Sequence, residues 1–494
     1  MFKALDPDER LTRREITRGL PWVIRAGLAS QVMETLTIGP FLVAYALTLD
    51  AGNVVIGFLA AIPFLTQFLQ LPAVILIEKV RKRRLISFVF AALSRPMVLV
   101  MALAAFMPEP FWALTFLIIG LTFRYSLGAV VACGWNSWMR DIIPEKRMGR
   151  FFAQRQKLMT ILGVVISLLG ALLIDNWGEW QPEGRLIAYP VLLVIAFFAG
   201  VYSTYCLRKI PEPPMSEAAA INLYDRLTLP FRDRNFRRLI MFLAPWNFAV
   251  NLAAPFFTVY LFERLDLSLT TVTLLMIISQ TANVLMIRRW GVIADLFSNK
   301  SVLRVCAPLF IICIFAWTFT AFPEKHALTI PLLVVVHIFT GIATAGVTLS
   351  TSTISLKLAP AGEAASYMAV TSLINSSAAG IAPIIGGLTI DFFNNQALFM
   401  LLQWSGGEAG PVAEILNLRQ WDFFFMFATL IGVYSIRRLA LVEEAGEVEK
   451  RIVIDELIIS MRQSVKNLSS IAGLRMLTEF PLIMLRRRRR RRLK

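Results

Sequence analysis

The apolar residues of this chain are gathered into long runs separated by short charged or proline-bearing stretches, a pattern unlike the short alternating segments of a soluble core. A run of about 20 apolar residues crosses the ~30 Å hydrocarbon core as a helix, because lipid offers unpaired backbone groups no partners. The spacing predicts twelve spans. Six lie at 20–48, 53–78, 85–106, 111–138, 152–174 and 186–207, and six at 239–262, 269–288, 301–322, 328–356, 365–393 and 421–441. Between the sets, prolines and charges over 208–238 exclude a spanning helix and predict a surface linker. The division expected is a segment 1–19, a bundle 20–207, the linker, a bundle 239–441 and a tail 442–494.

Composition matters once topology is considered. The net charge of +17 would suggest nucleic acid in a soluble protein, but the chain is 57% hydrophobic and its bases lie between or beyond the apolar runs. Arg13, Arg14, Arg18, Lys79 to Arg84, Arg140 to Arg155, Arg288, Arg289, Lys300, Arg304, Arg437 and Arg438 fall on one side of the expected topology. Asp50, Glu109, Asp175, Glu179, Glu183, Glu324 and Glu408 fall on the other. The positive-inside rule makes the first side cytoplasmic, with both termini there, in a multi-pass protein of the cytoplasmic (inner) membrane. Cys133, Cys206, Cys306 and Cys313 sit in or beside apolar runs without metal-ligand spacing, so neither a metal nor any other cofactor is expected. No phosphate-binding Gly-rich loop and no Ser/His/Asp or Cys/His arrangement is present, which points away from an enzyme and towards an ion gradient as energy source.

The halves echo one another. Pro144 precedes Phe152-Ala153 by eight residues, and Pro360, 216 positions later, precedes Met368-Ala369 by the same interval. Glu78 and Asp295, 217 apart, both sit among bases after the second span of their half. Two echoes in one register predict bundles related by a pseudo-two-fold parallel repeat. The fold expected is thus all-α, twelve transmembrane helices in two six-helix bundles.

Gly291-x-x-x-Asp295 with Lys300, Arg124-x-x-x-Gly128 and the Gly380 to Gly387 stretch together resemble the major facilitator superfamily of secondary transporters, over about 20–441. Gly291-x-x-x-Asp295 with Lys300 is similar to that family's loop signature, and Arg124-x-x-x-Gly128 to its helix-four arginine motif. Gly380-Ile-Ala-Pro383-Ile-Ile-Gly386-Gly387 resembles the Gly-Pro-Gly-Gly pattern of the antiporters' helix five, although here it falls in span eleven. The resemblance implies alternating access between bundles, with helices one, four, seven and ten lining a central cavity that takes a small-molecule substrate.

Candidate residues follow. Glu34 is the one acid placed deep in a span, and an intramembrane carboxyl can take up and release a proton; its other reading is a structural partner for Arg124. Arg124, equally deep, suits an anionic group or a permanent pair with Glu34. Asn247, Asn251 and His337, with Gln280, Asn283, Thr340, Thr344 and Asn375, are hydrogen-bonding candidates or interhelical packing. Arg95, before Pro96, has two readings, a structural one in which it pairs with carbonyls freed by Pro96 and a functional one. Glu78, Asp141, Arg147, Arg150, Asp295 and Lys300 are expected to form a cytoplasmic gate of ion pairs between the bundles. The tail carries an apolar helix face, Ile454, Leu457, Ile458, Met461, Val465 and Leu468, then Arg486 to Arg492, which suits anionic membrane lipid or a solvated run. Protons or another ion are the expected second partner of a monomer. A transporter-like membrane scaffold or assembly factor, docking through linker and tail, is the alternative function.

Overall fold

The computed structural model describes residues 12–180, 184–215, 228–321, 325–360, 363–403 and 412–468. Helix α1 (Arg13–Thr37) opens on a capping box, in which the Thr12 hydroxyl accepts the Glu15 N–H and the Glu15 carboxylate accepts the Thr12 N–H. It stops at Ile38, and Gly39, with φ of 62°, makes a turn that a Cβ would resist before α2 (Pro40–Thr48) restarts with proline in its first turn. Helix α3 (Asn53–Leu65) passes through a tighter turn at Thr66–Leu69 into α4 (Gln70–Val80). Pro96 divides α5 (Arg83–Ser94) from α6 (Pro96–Leu103), and Pro144 follows the end of α7 (Pro110–Ile142). Helices α8 (Glu145–Trp180) and α9 (Arg185–Arg208) complete the first part of the chain.

The second part runs through α10 (Arg234–Glu263), α11 (Leu269–Leu296), α12 (Asn299–Ala316), α13 (Thr329–Lys357) and α14 (Ala364–Phe393). A hairpin of β1 (Ala397–Gln403) and β2 (Val412–Arg419), which the apolar-run pattern does not announce, leads into α15 (Gln420–Leu439), and α16 (Lys450–Leu468) follows. The other regular elements among the described residues are helical.

Among the described residues, ten helical stretches are long and apolar enough to cross a membrane. The other two expected spans correspond to α1 with α2, charged along its length and interrupted at Gly39, and to α15, which carries Asp422 near its start and Arg437 and Arg438 at its end. Large apolar side chains such as Phe111, Leu169, Phe198, Leu285 and Leu430 point outward, as a lipid-facing surface requires, while Trp138, Trp290, Phe242, Phe256 and Phe424 fill the interior.

Helix α1 packs on α8 and α9, α7 on α5 and α6, and α6 on α9. In the second part α10 packs on α14 and α15, and α13 on α11 and α12. The two sets meet where α3 lies along α14 and where α8 meets α11. The α3/α14 contact is glycine-mediated. A Cβ on Gly57 would collide with the Pro383 carbonyl, and one on Gly387 with the Asn53 carbonyl, so the Gly-Pro-Gly-Gly stretch serves close helix approach. Asn53 donates to the Asp391 carboxylate at 2.8 Å beside it.

At the end bearing Arg83 and Arg84, the stretch expected to run over the surface begins instead inside the protein. Ile210 and Glu212 are fully buried. The corresponding stretch after α15 brings Glu443, Glu444 and Glu447 onto α10 and α12. In α16, Val453 is buried and Leu457 packs on the core, whereas Ile454 and Ile458 are exposed. The arginine run Arg486 to Arg492 lies outside the described residues.

Candidate functional site

Glu34 lies one turn before the break that ends α1, and Arg124 lies near the middle of α7. The two meet: Arg124 Nη2 stands 2.9 Å from Glu34 Oε2, and the Tyr125 hydroxyl donates to the same oxygen at 3.2 Å. The pair is asymmetric. The Arg124 side chain is 3% exposed and that of Glu34 39%, so the carboxylate faces an opening while the guanidinium is sealed behind it. Arg124 Nε and Nη1 are buried with no hydrogen-bond partner among the described residues, and the guanidinium lies 4.6 Å from the Tyr125 ring centroid. The arginine motif gives Tyr125 no role of its own. Its adjacency to an intramembrane arginine is the signal in the sequence that points to it.

Arg95 joins the same neighbourhood from the α5–α6 break. Its Nε donates to the Gly200 carbonyl and the Thr204 hydroxyl, both at 3.2 Å, and Nη1 reaches Met33 Sδ at 3.6 Å, next in sequence to Glu34. Carbonyl, hydroxyl and thioether solvate this buried cation, and the carbonyl comes from α9 instead of from the turn preceding Pro96.

The polar residues of the second part separate into two cavities. Asn247 and Asn375 line one of about 330 Å³ with hydroxyls of α13 and α14, and Asn247 Nδ2 donates to Asn375 Oδ1 at 2.9 Å. Asn251 Nδ2 donates to the Asn247 carbonyl, 2.8 Å away. His337 lines a second cavity of about 320 Å³ with Gln280, Asn283, Thr340 and Thr344. Its Nδ1 lies 2.7 Å from the Leu333 carbonyl, and its ring meets Trp317 edge-on at 5.5 Å.

Of the expected gate residues, Asp141 pairs with Arg83, and Lys300 pairs with Glu447 at 2.7 Å. Both pairs lie within one part of the chain. Glu78, Arg147, Arg150 and Asp295 are exposed. Glu212, to which the sequence pattern gives no role, accepts the Arg83 and Arg84 N–H groups on its carboxylate at 2.6 and 3.1 Å and thereby caps α5. Glu444 does the same for α12, accepting Asn299 and Lys300 N–H at 3.2 and 2.7 Å. Burial pushes the Glu212 carboxyl up, opposed by the Arg84 and Arg83 N–H groups and then by the two guanidinium charges. At the opposite end Asp175 of α8 accepts the Leu269 and Thr270 N–H groups at 3.2 and 2.7 Å, tying the first turn of α11 to the first part of the chain.

A polytopic helical protein with an ion pair in its apolar interior and polar cavities between helices has the architecture of a membrane transporter. Residues 26–383 match the model of the Major Facilitator Superfamily, and the chain belongs to that family. It is accordingly a multi-pass membrane transporter. Its fold is similar to that of a mutant of the nucleoside transporter NupG, with a TM-score of 0.65 at 14% identity over 87% of this chain and 100% of that one. A bacterial homologue of the iron transporter ferroportin in an inward-facing state gives 0.61 at 13% identity, covering 91% and 100%. A POT family transporter in complex with a thioalcohol-conjugated peptide gives 0.60 at 10%, covering 86% and 96%. No curated protein matches the sequence.

Proposed function

We propose that the protein is a secondary active transporter of the cytoplasmic membrane that moves a small molecule by alternating access and couples it to protons through Glu34. Its working unit is two six-helix bundles, in which α1 with α2 and α15 complete the twelve spans and both termini face the cytoplasm. The observation that carries the coupling is the half-exposed Glu34 carboxylate against the sealed Arg124. A proton arriving from the open side neutralises Glu34 and strands a buried guanidinium, at a cost of about 3 kcal/mol. A penalty of that size shifts a two-state equilibrium by about a hundredfold, enough to favour the alternative packing or an incoming acceptor.

The present arrangement corresponds in this reading to the state closed at the end bearing Asp175 and Asp391. When the other end closes, the exposed Glu78, Arg147, Arg150 and Asp295 supply the gate, with Asp141 and Lys300 exchanging their present partners. Single exposed pairs are worth about 0–1 kcal/mol, so the gate acts as a network.

Reconstitution into proteoliposomes holding an internal pH dye tests the coupling. A substrate found by screening is expected to move protons with the wild type and to lose that coupling with Glu34→Gln. Proton-coupled flux with unchanged pH dependence in Glu34→Gln contradicts the assignment.

A further inference from the structure

Arg83 and Arg124 pair with carboxylates, and Arg95 is met by a carbonyl and a hydroxyl. Arg25 of α1 and Lys209, which follows α9, are held differently. Both are exposed, and neither forms an ion pair among the described residues. Each stands over an aromatic ring instead. The Arg25 guanidinium lies 4.6 Å from the Trp22 ring centroid, and Lys209 Nζ lies 5.7 Å from that of Tyr205. The rings form one cluster, in which Trp22 meets Tyr205 edge-on at 6.3 Å and Tyr205 stacks with Tyr202 at 6.4 Å. Glu15, on the same face of α1 two turns before Trp22, is committed to the Thr12 cap.

This cluster faces lipid at the bilayer surface. Along α9 the exposed residues Ile195, Phe198, Tyr202, Tyr205 and Lys209 recur at three- and four-residue intervals, so they share one face. Their order of apolar side chain, amphipathic ring and cation is the order of hydrocarbon, interface and headgroup in a leaflet. Helix register brings Arg25 to the same level. Ser30 Oγ lies 2.7 Å from Ser203 Oγ, and Gly19 sits against Pro211, so α1 and α9 run antiparallel. The same five-residue step from that serine pair reaches Arg25 on one helix and Arg208 on the other, which sets Arg25 and Lys209 at about one height. At about 100° per residue, Arg25 also falls on the side of α1 opposite Glu34, away from the buried ion pair.

A guanidinium that offers its face to an indole keeps the N–H groups along its edge free, and a phosphate accepts from that edge in paired bonds. Zwitterionic headgroups carry a phosphate too, but their ammonium would stand beside two cations with no free carboxylate to receive it. A headgroup of net negative charge meets no such penalty. We infer that this face of α1 and α9 binds an anionic phospholipid, its phosphate held by Arg25 and Lys209 and its glycerol and first chain carbons lying on Trp22, Tyr205 and Tyr202. The site belongs to the leaflet at the end bearing Arg83 and Arg84, and it is independent of the proton coupling proposed for Glu34.

Photo-crosslinking of the full-length protein in phosphatidylcholine vesicles tests the site. The vesicles carry a trace of phosphatidylglycerol with a diazirine in its first chain carbons or, in parallel, the matching phosphatidylcholine probe, and labelled peptides are mapped. On the wild type the phosphatidylglycerol probe is expected to label the stretches around Trp22 and Tyr205 at least about tenfold more than the other probe. A cation at a leaflet surface contributes about fivefold, so Arg25→Gln and Lys209→Gln are each expected to lower that labelling about fivefold, with the unfolding temperature in detergent unchanged. Arg288→Gln with Arg437→Gln, which removes two exposed cations elsewhere, is expected to leave it as it was. Equal labelling by the two probes, Arg25→Gln and Lys209→Gln labelled as the wild type is, or an equal loss in the Arg288 and Arg437 control would each overturn the site. Competition by inorganic phosphate at about 10 mM would assign the cluster to free phosphate and likewise overturn it.

Discussion

Asp175 and Thr270, on different parts of the chain, are joined by a 2.7 Å hydrogen bond from the Thr270 backbone N–H to the Asp175 carboxylate, at a helix N-terminus where negative charge is favoured. The Leu269 N–H adds a second bond to the same carboxylate. Asp175→Ala removes one acceptor for two orphan donors, worth about 1 kcal/mol, a shift of about fivefold towards the state open at this end. Amide exchange at Leu269 and Thr270 measures it directly. Faster exchange is expected, and unaltered protection would show that the contact closes nothing.

Gly57 acts at the same end by absence. A side chain there meets the backbone of Pro383 and Ile384, which has no flexible atom to move aside. Gly57→Val is expected to hold α3 off α14, so that a cysteine at Asn53 reacts faster with a membrane-impermeant thiol reagent. Equal labelling with and without the substitution counts against the glycine-mediated closure.

Glu34→Gln strands Arg124 and is expected to lower stability by about 3 kcal/mol, while the double substitution Glu34→Gln with Arg124→Gln recovers most of the loss. Thermal unfolding of the four proteins in one detergent gives the coupling energy. Additive losses would show that the two side chains, although 2.9 Å apart, contribute independently.

Glu212 is fully buried among the α5 N–H groups and the Arg83 guanidinium. Glu212→Ala leaves those groups unsatisfied and is expected to cost about 3 kcal/mol, read as a lower unfolding temperature. Its carboxyl is raised on folding, so its stabilising contribution is complete below the ordinary carboxylate value and is lost as pH rises through the raised one. Glu212→Gln, which cannot ionise, is expected to lack that part of the decline across the same window. A parallel pH profile in wild type and Glu212→Gln contradicts the assignment.

What was legible in the sequence follows from energetic cost. Long apolar runs locate most of the spans, and a charge inside such a run is expensive enough that Glu34 and Arg124 stand out before their contact is known. The same logic fails outside the membrane. The Pro211-Glu-Pro-Pro214 stretch has the composition of a surface linker, yet Glu212 is drawn inside by two backbone N–H groups that no side-chain pattern announces. Asp175 is equally silent, because its partners are backbone groups 94 and 95 residues away. Sign patterns placed bases at one end of the helices, but signs do not choose partners: Asp141 and Lys300 found theirs in Arg83 and Glu447. The hairpin Ala397–Arg419 leaves no mark on that pattern, because its strands fall between spans and are too short to read as one.

Paired distance measurements test alternating access without knowledge of the substrate. With Cys133, Cys206, Cys306 and Cys313 replaced, spin labels at Asp50 and Gln396 report one end of the helices, and labels at Lys79 and Lys357 report the other; all four positions are exposed. Two populations are expected, with distances that change in opposite directions at the two ends as pH falls. A single distance at each end, or both ends widening together, would contradict it.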